Sequence, residues 1–583
     1  NRYGLMMTAS WLFLTVAAFA GSLIEDRQYE PVVLQGGVLS QFYNVPIDEI
    51  YLYAYDATEG KLKVVPFQID EKILTEDIFS PGRTRHYYAN PAVWVGGKQQ
   101  AILDDGVLDI DDELVFLVRD LGAEAPPEAW NGIDVKDGLR RTLAVRDPND
   151  PLKKAVGYLV RSSEKKEIPA PYRFSYDITN DVVSNSVYSV RMTRPGGLIE
   201  DISFFPPYGT GVDIFDTQKI RLIGLVDIGL VSLTPGLNDL PALNDRDNFY
   251  VYSPDDENQG YLNVTSKPIV RLTREVRQTI RIGEFTLRDV AFYVKTQYFP
   301  FSGKLEGGGS LDPKKLRELF PDPDDIYINF DLVRQSWDFS ENAVGMKFYN
   351  RNNNGVLIDG VPDAGVNRTL DSKGMIREWM MASGEQGTFF SYLIIEDTTY
   401  QKLELYYHDD MNGGQDDRSF VEGGDTGDGK SFGDQGIKII NSQSLELGFT
   451  AYFVEKNKDK AFAEKLAYII ENPVIANWYP VNAQDAADAV PADFELAQNY
   501  PNPFNQTTMI HYALPSSMPV TLEILNTRGQ RVALLVDGER DQGVHQATWN
   551  GRDDLGRDVG SGVYLYRLTA DQFSATKKLL LVK

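Results

Sequence analysis

The chain has 583 residues, no cysteine, four histidines and a net charge of −26 from 84 acidic and 58 basic side chains. Its length predicts three or four domains, and 42% hydrophobic residues predict packed cores. The missing thiols exclude cysteine nucleophiles, thiolate zinc sites, iron–sulfur clusters and c-type haem attachment. The charge argues against a nucleic-acid partner and suits an exported protein or one that binds calcium.

The N-terminal segment contains the apolar run WLFLTVAAFA at 11–20, which ends in a small-x-small pattern. This pattern is typical of a signal peptide, so we expect residues 1–20 to be removed. A buried core strand is the alternative. The run is too short to span a bilayer, and no other segment is long and apolar enough to be transmembrane. The sequence therefore predicts export through the periplasm to the cell surface or medium.

Short strand patterns separated by Gly, Asp, Asn and Pro dominate residues 30–455. Residues 276–294 read as an antiparallel hairpin with one buried face, because apolar and polar residues alternate on both sides of Gly283. Helical patterns are few and occur at 313–319 and 458–470. We predict a mainly β chain, with a multi-domain β-sandwich body and a separate C-terminal β-sandwich.

Two segments predict domain boundaries. Residues 121–129 are rich in Ala, Pro and Glu, and residues 471–493 are rich in Ala, Asp and Pro, as linkers are. The excess negative charge lies upstream of the second segment, since 494–583 carries nine acidic and nine basic residues. The predicted organisation is a β domain at 21–130, a large β-sandwich body at 131–470, a linker at 471–493 and a C-terminal domain at 494–583.

The C-terminal domain opens with FELAQNYPNPFNQ and continues through RGQRV, WNGRDDLG and SGVYLYRL. These blocks, in this order, resemble the type A C-terminal sorting domain of type IX secretion. One departure is Gln506, where that family usually has proline. The resemblance implies an Ig-like domain that takes its cargo across the outer membrane through the type IX machinery and is usually cleaved afterwards. The residues that carry it are Asn499, Pro501, Asn502, Pro503, Gly529, Trp549, Gly562 and Tyr564.

The stretch GGDTGDGKSFG at 423–433 fits two short catalytic patterns, a phosphate-binding loop and a nucleophile elbow. Both patterns require a helix after the loop, but FGDQGIKIIN predicts a strand. Asp425 and Asp428 would also repel a phosphate. We therefore expect no nucleotide, haem or iron–sulfur cofactor.

Acidic, glycine-rich loops suggest calcium, because calcium accepts six to eight oxygen ligands without strict geometry. Besides the two acidic loops, a loop at 350–360 carries Asn350, Asn352, Asn354 and Gly355, which imitate half of an EF-hand loop. In each case a solvated loop is the alternative. The candidate ligands in the two acidic loops are Asp104, Asp105, Asp109, Asp111, Asp409, Asp410, Asp416, Asp417, Asp425 and Asp428.

The function of the body is left open between two classes. His408, within YYHDD, is a candidate general acid or base, although a strand end that enters an acidic loop explains it equally. We expect a non-catalytic role in adhesion, matrix formation or glycan binding, with extracellular glycans or surface polysaccharide as partners. The alternative is a glycan-active hydrolase or polysaccharide lyase.

Overall fold

A computed structural model describes residues 24–581 apart from 77–83, 96–97, 104, 151, 193–198, 229–260, 266–267, 283–284, 307–325, 371–375, 396–401, 413–429, 443–447, 480–493, 497–498, 500–507, 541–542, 555–556 and 572. The predicted signal peptide and the helix predicted at 313–319 lie outside these residues. The described residues form two compact units. The larger falls within 1–477, except for 39–43 and 139–143, which belong to the smaller unit with 478–583.

The chain is mainly β, as predicted. The strands before residue 215 are β1 Pro31–Gln35, β2 Ile50–Asp56, β3 Lys61–Val64, β4 Gln68–Asp70, β5 Lys72–Glu76, β6 Thr84–Tyr88, β7 Asn90–Val95, β8 Lys98–Ile102, β9 Glu113–Leu117, β10 Arg140–Arg146, β11 Lys154–Arg161, β12 Ser175–Asp177, β13 Val182–Ser184, β14 Tyr188–Met192 and β15 Ile199–Phe204.

Longer strands follow. They are β16 Phe215–Ile228, β17 Tyr261–Val264, β18 Leu272–Ile282, β19 Phe285–Phe299, β20 Ser302–Glu306, β21 Ile326–Phe339, β22 Lys347–Asn350, β23 Asn354–Leu357, β24 Ile376–Gly384, β25 Gly387–Ile395, β26 Lys402–Asp410, β27 Ser431–Ser442, β28 Gly448–Val454 and β29 Ile475–Tyr479. The hairpin predicted at 276–294 is confirmed by the antiparallel pairing of β18 with β19. The strand predicted after the glycine-rich loop is confirmed as β27.

The helices of the described residues are short. The α-helix α1 spans Lys460–Glu471, which confirms the helix predicted at 458–470, and the Asp459 side chain caps it by accepting the N–H of Phe462. No helix in the described ranges combines the length and apolar character that crossing a bilayer requires. The 3-10 turns are Gly36–Phe42, Ile47–Glu49, Val118–Asp120, Pro127–Trp130, Lys136–Gly138 and Glu341–Ala343.

Strand pairing in the body is long-range. In sheet order, the described strands up to β29 form β1-β9-β4, β29-β10-β11-β2-β3, β5-β6, β12-β13-β14-β15, β16-β21-β27-β26 and the eleven-stranded β23-β22-β24-β25-β28-β20-β19-β18-β17-β7-β8. The eleven-stranded sheet joins β7 and β8 to β17, so its pairing crosses the boundary predicted near residue 130.

A sandwich core lies between the eleven-stranded sheet and the sheet that contains β21. Trp337 on β21 is fully buried, and its ring meets Phe389 of β25 at 5.3 Å and Phe449 of β28 at 4.7 Å in edge-to-face geometry. Such aromatic pairs add about 0.5–1.5 kcal/mol each beyond the area they bury. These contacts confirm the predicted sandwich packing.

The C-terminal strands build a second sandwich. They are β30 Glu495–Leu496, β31 Thr508–Leu514, β32 Met518–Leu525, β33 Arg531–Arg540, β34 Gly543–Trp549, β35 Gly562–Ala570 and β36 Phe573–Leu581. The described strands form a three-stranded sheet (β30-β31-β34) and a four-stranded sheet (β33-β32-β35-β36). Trp549 from one sheet and Leu522 and Tyr566 from the other share one buried core.

A buried ion cluster ties distant segments of the body together. The Arg271 guanidinium, immediately before β18, binds the carboxylates of Asp70 on β4 and Glu113 on β9. Lys72 Nζ contacts Glu113 Oε1 at 2.9 Å, and Gln68 Oε1 accepts three successive backbone N–H groups that end at Arg271. Burial favours the neutral acid at Glu113, but Arg271 and Lys72 hold its pKa below the ordinary value.

Arg271→Met should destabilise the body by about 3–5 kcal/mol, because it leaves two buried carboxylates without their shared cation. The measurement is the free energy of unfolding in urea. Lys154→Met is the matched control, since its ion pair with Glu124 is exposed and such pairs contribute about 1 kcal/mol or less. Equal losses for both variants would contradict a structural role for the buried cluster.

Candidate functional site

Strand β9 delivers two charged side chains to an aromatic cluster of the body. Its residues Glu113–Leu117 are all buried, and since successive side chains of a strand point to opposite faces, both faces of β9 are covered. The chain then makes a 3-10 turn over Val118–Asp120, closed by the Leu121 N–H, which donates to Val118 O at 3.2 Å. Arg119 and Asp120 lie on this turn and are partly exposed, whereas Val118 is buried.

Phe301 is the centre of the aromatic cluster and is fully buried. Its ring makes edge-to-face contacts with Tyr29 at 5.2 Å, Tyr172 at 5.1 Å and Tyr208 at 5.9 Å between centroids. Tyr172 and Tyr208 are half-buried and lie where the cluster meets solvent. We call the following set the Arg119 cluster: Tyr29, Arg119, Asp120, Tyr172, Tyr208, Phe301, Glu455 and Lys458.

The Arg119 guanidinium lies against aromatic rings, with its carbon 4.8 Å from the centroid of Phe301 and 5.8 Å from that of Tyr172. Cation–π attraction of this kind contributes about 0.5–2 kcal/mol and fixes the guanidinium orientation. Among the described residues, Nη1 of Arg119 has no hydrogen-bond partner although it is shielded from solvent. A buried donor of this kind is stabilised when a ligand or water accepts from it.

Asp120 places an acceptor on the same 3-10 turn as Arg119. Its Oδ2 atom is shielded from solvent and, within the described ranges, no protein group donates a hydrogen bond to it. Burial raises the pKa of Asp120 to about 7, and the neighbouring charge of Arg119 only partly opposes the rise. The carboxyl therefore changes its protonation state near neutral pH, which is uncommon for an aspartate.

The rim of the cluster is polar and accessible. The Tyr29 hydroxyl donates to the carboxylate of Glu455, and Lys458 Nζ lies 3.4 Å from Glu455 Oε2. The side chain of Glu455 is 33% exposed and that of Lys458 is 26% exposed. Aromatic faces beside a few polar groups, reached from a partly open rim, are typical of small-molecule sites.

Sequence patterns did not identify this site. Arg119 and Asp120 follow a strongly apolar strand, so the sequence pattern indicates only that the strand ends there. Their aromatic neighbours lie between 53 and 182 residues away from Arg119 in the sequence, and no spacing rule connects segments so far apart.

The first acidic loop uses its carboxylates in turns. Asp105 Oδ1 accepts the N–H of Val107 at 3.0 Å, and Asp109 Oδ1 accepts that of Asp111 at 2.7 Å. The Asp111 carboxylate lies 3.0 Å from Nε2 of His86. Asp104 lies outside the described residues.

The second acidic loop is described only at its start. The buried Asp409 carboxylate accepts N–H groups from Asp359, Gly360 and Gly433 at 2.9–3.2 Å, and burial raises its pKa to about 6. Asp410 Oδ1 accepts the N–H of Asn412 at 2.9 Å. The remaining candidates lie outside the described residues and are Asp416, Asp417, Asp425 and Asp428.

The asparagine loop is closed by its own hydrogen bonds. Asn350 Oδ1 accepts the backbone N–H groups of Asn352 and Asn353 at 3.0 and 2.7 Å, so this oxygen serves an Asx turn. In the part of the chain that the structure describes, no group of three His, Asp or Glu side chains converges in a way that could hold a metal ion. Calcium binding by the acidic loops stays a prediction.

His408 lies on β26 directly opposite Asp434 on β27 and is partly exposed, while Asp434 is fully buried. No local pattern connects these two residues, which are separated by the acidic loop. The strand register thus brings a carboxyl to the neighbourhood of the candidate histidine. A catalytic role for His408 stays a prediction.

The described sorting residues hold the C-terminal sandwich together. Asn499 is buried, its N–H donates to the Tyr566 hydroxyl at 2.9 Å, and its Nδ2 donates to Thr508 Oγ1 at 2.9 Å. The Trp549 indole N–H donates to Arg552 O at 2.8 Å, and its ring meets that of Tyr564 at 5.2 Å.

The structure describes the glycines of the sorting motif but not its prolines. Gly529 has φ +76° in the β32–β33 turn, a conformation that glycine adopts without strain, and Gly562 begins β35. Pro501, Asn502 and Pro503 lie outside the described residues.

Residues 502–573 match the family model of the FlgD Ig-like domain, so the chain carries an Ig-like domain at its C terminus. No curated protein matches the chain. Among solved structures, dimeric latent PorU from Porphyromonas gingivalis is similar at 9% identity, covering 60% of this chain and 36% of PorU, with a TM-score of 0.15. The chain thus spans about a third of the length of PorU.

Two smaller proteins are similar over about half of the chain. They are the Slr1438 protein from Synechocystis, at 10% identity with 51% and 99% coverage and a TM-score of 0.22, and a putative aldose 1-epimerase from Escherichia coli K12, at 10% identity with 49% and 99% coverage and a TM-score of 0.20. TM-scores this low support no inference about the body, whose function must be argued from its own residues.

Titration of Asp120 should make stability depend on pH. Because its pKa in the fold lies above the value of 3.8 for the free side chain, the wild-type protein loses stability relative to Asp120→Asn as pH rises from about 4 to about 7. The difference reaches at most about 4 kcal/mol and is constant above that range. Urea unfolding at pH 4.5, 6, 7.5 and 8.5 measures it.

Glu128→Gln, on the nearby exposed turn, is the matched control and should run parallel to wild type. Parallel curves for Asp120→Asn and wild type would show that Asp120 titrates normally.

Calcium binding by the acidic loops predicts that 2 mM calcium raises the melting temperature relative to EGTA. A ligand at a hundred times its Kd stabilises the folded state by about 2.7 kcal/mol. Magnesium, which demands stricter geometry, should have less effect. Identical melting curves in calcium, magnesium and EGTA would contradict the calcium prediction.

Proposed function

We propose that this chain is exported by the type IX route and that its body binds extracellular glycans through the Arg119 cluster without transforming them. The export half is supported by the sorting-domain resemblance together with the Ig-like domain match at 502–573. The binding half is supported by the geometry of the cluster. The two halves are independent and are tested separately.

The observation that carries the binding proposal is the pairing of a donor and an acceptor next to aromatic rings. Nη1 of Arg119 and Oδ2 of Asp120 belong to adjacent residues, and neither finds a protein partner among the residues described. Neighbouring hydroxyls of a sugar accept one hydrogen bond and donate another, so one saccharide unit satisfies both groups once the side chains that shield them move aside. The rings of Tyr172 and Tyr208 provide apolar faces for the C–H groups of that unit.

Electrostatics favour a neutral glycan over a polyanion. The chain carries a net charge of −26, which repels polyanions at low salt. At the site itself Arg119 and Lys458 are balanced by Glu455 and by Asp120 in its ionised form. A neutral hydroxyl-rich ligand meets no such repulsion.

Arg119→Gln should weaken glycan binding about 10- to 100-fold, because hydrogen bonds to charged groups contribute about 1.5–3 kcal/mol. The measurement is calorimetric titration of the full chain with neutral oligosaccharides selected from a glycan array. Arg173→Gln is the matched control, since Arg173 is exposed beside Tyr172 and outside the cluster. Equal affinity of wild type and Arg119→Gln for every retained glycan would overturn the assignment of the site.

The same incubations test the catalytic alternative. A general acid at neutral pH needs a raised pKa, as Asp120 has, and glycoside hydrolysis needs a second carboxylate, which Glu455 could provide. New reducing ends that disappear in Asp120→Asn would replace binding by hydrolysis as the function. Unsaturated products that disappear in His408→Ala would indicate a lyase instead.

Deletion of residues 494–583 should leave the protein in the periplasm of a host that has the type IX machinery, because the sorting domain would be missing. Fractionation of cells, surface and medium measures the distribution, with a periplasmic marker protein as the control for leakage. Surface or medium levels equal to those of the full-length chain would contradict the export proposal.

A further inference from the structure

A row of polar side chains crosses the apolar core of the body. The strand register places Trp337 of β21 opposite Gln435 of β27, and Gln435 opposite Tyr407 of β26. Gln335 lies two residues before Trp337 and therefore on the same face of the sheet. This face packs on the eleven-stranded sheet, because the Trp337 ring contacts Phe389 and Phe449. We call Gln335, Trp337, Gln435 and Tyr407 the interior polar row.

Each member of the row is at least 98% buried. Within the described ranges, hydrogen-bond partners are missing for both amide atoms of Gln335, both amide atoms of Gln435, the indole N–H of Trp337 and the hydroxyl of Tyr407. From the facing sheet, the hydroxyl of Ser391 is equally buried and equally unpartnered in that part of the chain. Ser391 lies two residues from Phe389 on β25 and so faces the same interior.

So many unmet groups cannot be a stable dry arrangement. One buried polar group without a partner lowers the folding equilibrium constant roughly ten- to a hundredfold. Five side chains in that state would cost as much as the whole stability of an ordinary domain. Native interiors instead satisfy such groups with ordered water, which makes about three hydrogen bonds in a polar cavity.

The row leads toward the surface at one end. Asp409 lies two residues from Tyr407 on β26. Its carboxylate accepts the N–H groups of Asp359 and Gly360, so the loop that contains Asp363 lies beside this end of the row. Asp363 is partly exposed, and its Oδ2 atom is shielded and lacks a partner among the described groups. The loop at 359–363 is therefore where the polar row meets solvent.

We propose that the core of the body binds a file of ordered water molecules along Gln335, Trp337, Gln435 and Tyr407, which ends at Asp363. The waters bridge the two sheets through Ser391. They are structural ligands that complete the hydrogen bonding of the sandwich. The inference is independent of the proposed function, since the Arg119 cluster shares none of these residues.

The first test is a crystal structure of the full chain at about 1.5 Å resolution, complemented by magnetic relaxation dispersion to count long-lived internal waters in solution. We expect at least three ordered waters hydrogen-bonded to the row, with residence times longer than those of surface water. Direct hydrogen bonds between the two glutamines and their neighbours, with no internal water, would overturn the proposal.

The second test uses the sign of a stability change. Gln435→Met keeps the side-chain length but removes its hydrogen bonds. If waters fill the row, Gln435→Met removes hydrogen-bond partners from those waters and from Tyr407. The folding equilibrium constant then falls about tenfold. If the row is dry, the variant removes an unmet group and the constant rises. Gln99→Met, at an exposed strand position, is the control. If Gln435→Met fails to fold, the number of ordered waters in the wild-type protein still decides whether the row is hydrated or dry.

Discussion

The guanidinium of Arg271 lies in the interior between the carboxylates of Asp70 and Glu113, and this ion cluster connects three segments that are far apart in sequence. A buried charge is tolerated only where opposite charges and hydrogen bonds replace the water it has lost. Arg27 and Arg274 follow the same rule, since each is almost fully buried and binds a carboxylate. The body therefore uses buried arginine–carboxylate pairs to connect segments that are far apart in sequence.

The same rule distinguishes structural groups from candidate functional groups. Arg271 donates its hydrogen bonds to carboxylates inside the protein. Arg119 instead contacts aromatic rings, and its shielded Nη1 atom has no protein partner in the described chain. Asp120 is the corresponding acceptor. Protein interiors rarely leave such groups unmet, so an unmet pair at a partly exposed aromatic cluster suggests a ligand. In the closed sandwich core, buried polar groups that lack protein hydrogen-bond partners suggest bound water instead.

Much of the architecture could be predicted from the sequence, because alternation along a strand and helix capping are local. The β18–β19 hairpin, the helix after Asp459 and the C-terminal sandwich are of this kind. The pairing of β7 with β17 could not be predicted, since nothing local to either strand encodes its partner across more than 150 residues. Segment composition indicates where the chain turns, but it does not identify which strands share a sheet.

The candidate site was less predictable for the same reason. Acidic clusters attract attention because their members are adjacent in sequence, yet Asp105 and Asp109 serve turns within their own loop. Arg119 acquires its significance only through Phe301 and Tyr172, which no motif links to it. Sorting residues such as Asn499 and Trp549 could be predicted from the sequence because the domain is compact and its motifs are contiguous.

Whether a glycan occupies the Arg119 cluster is decided by a crystal structure of the full chain with a bound oligosaccharide. We expect a saccharide unit whose hydroxyls contact Nη1 of Arg119 and Oδ2 of Asp120, with Tyr172 or Tyr208 against its C–H face. An oligosaccharide bound elsewhere, with Arg119 and Asp120 satisfied by groups of the protein itself, would rule out the Arg119 cluster as the glycan site.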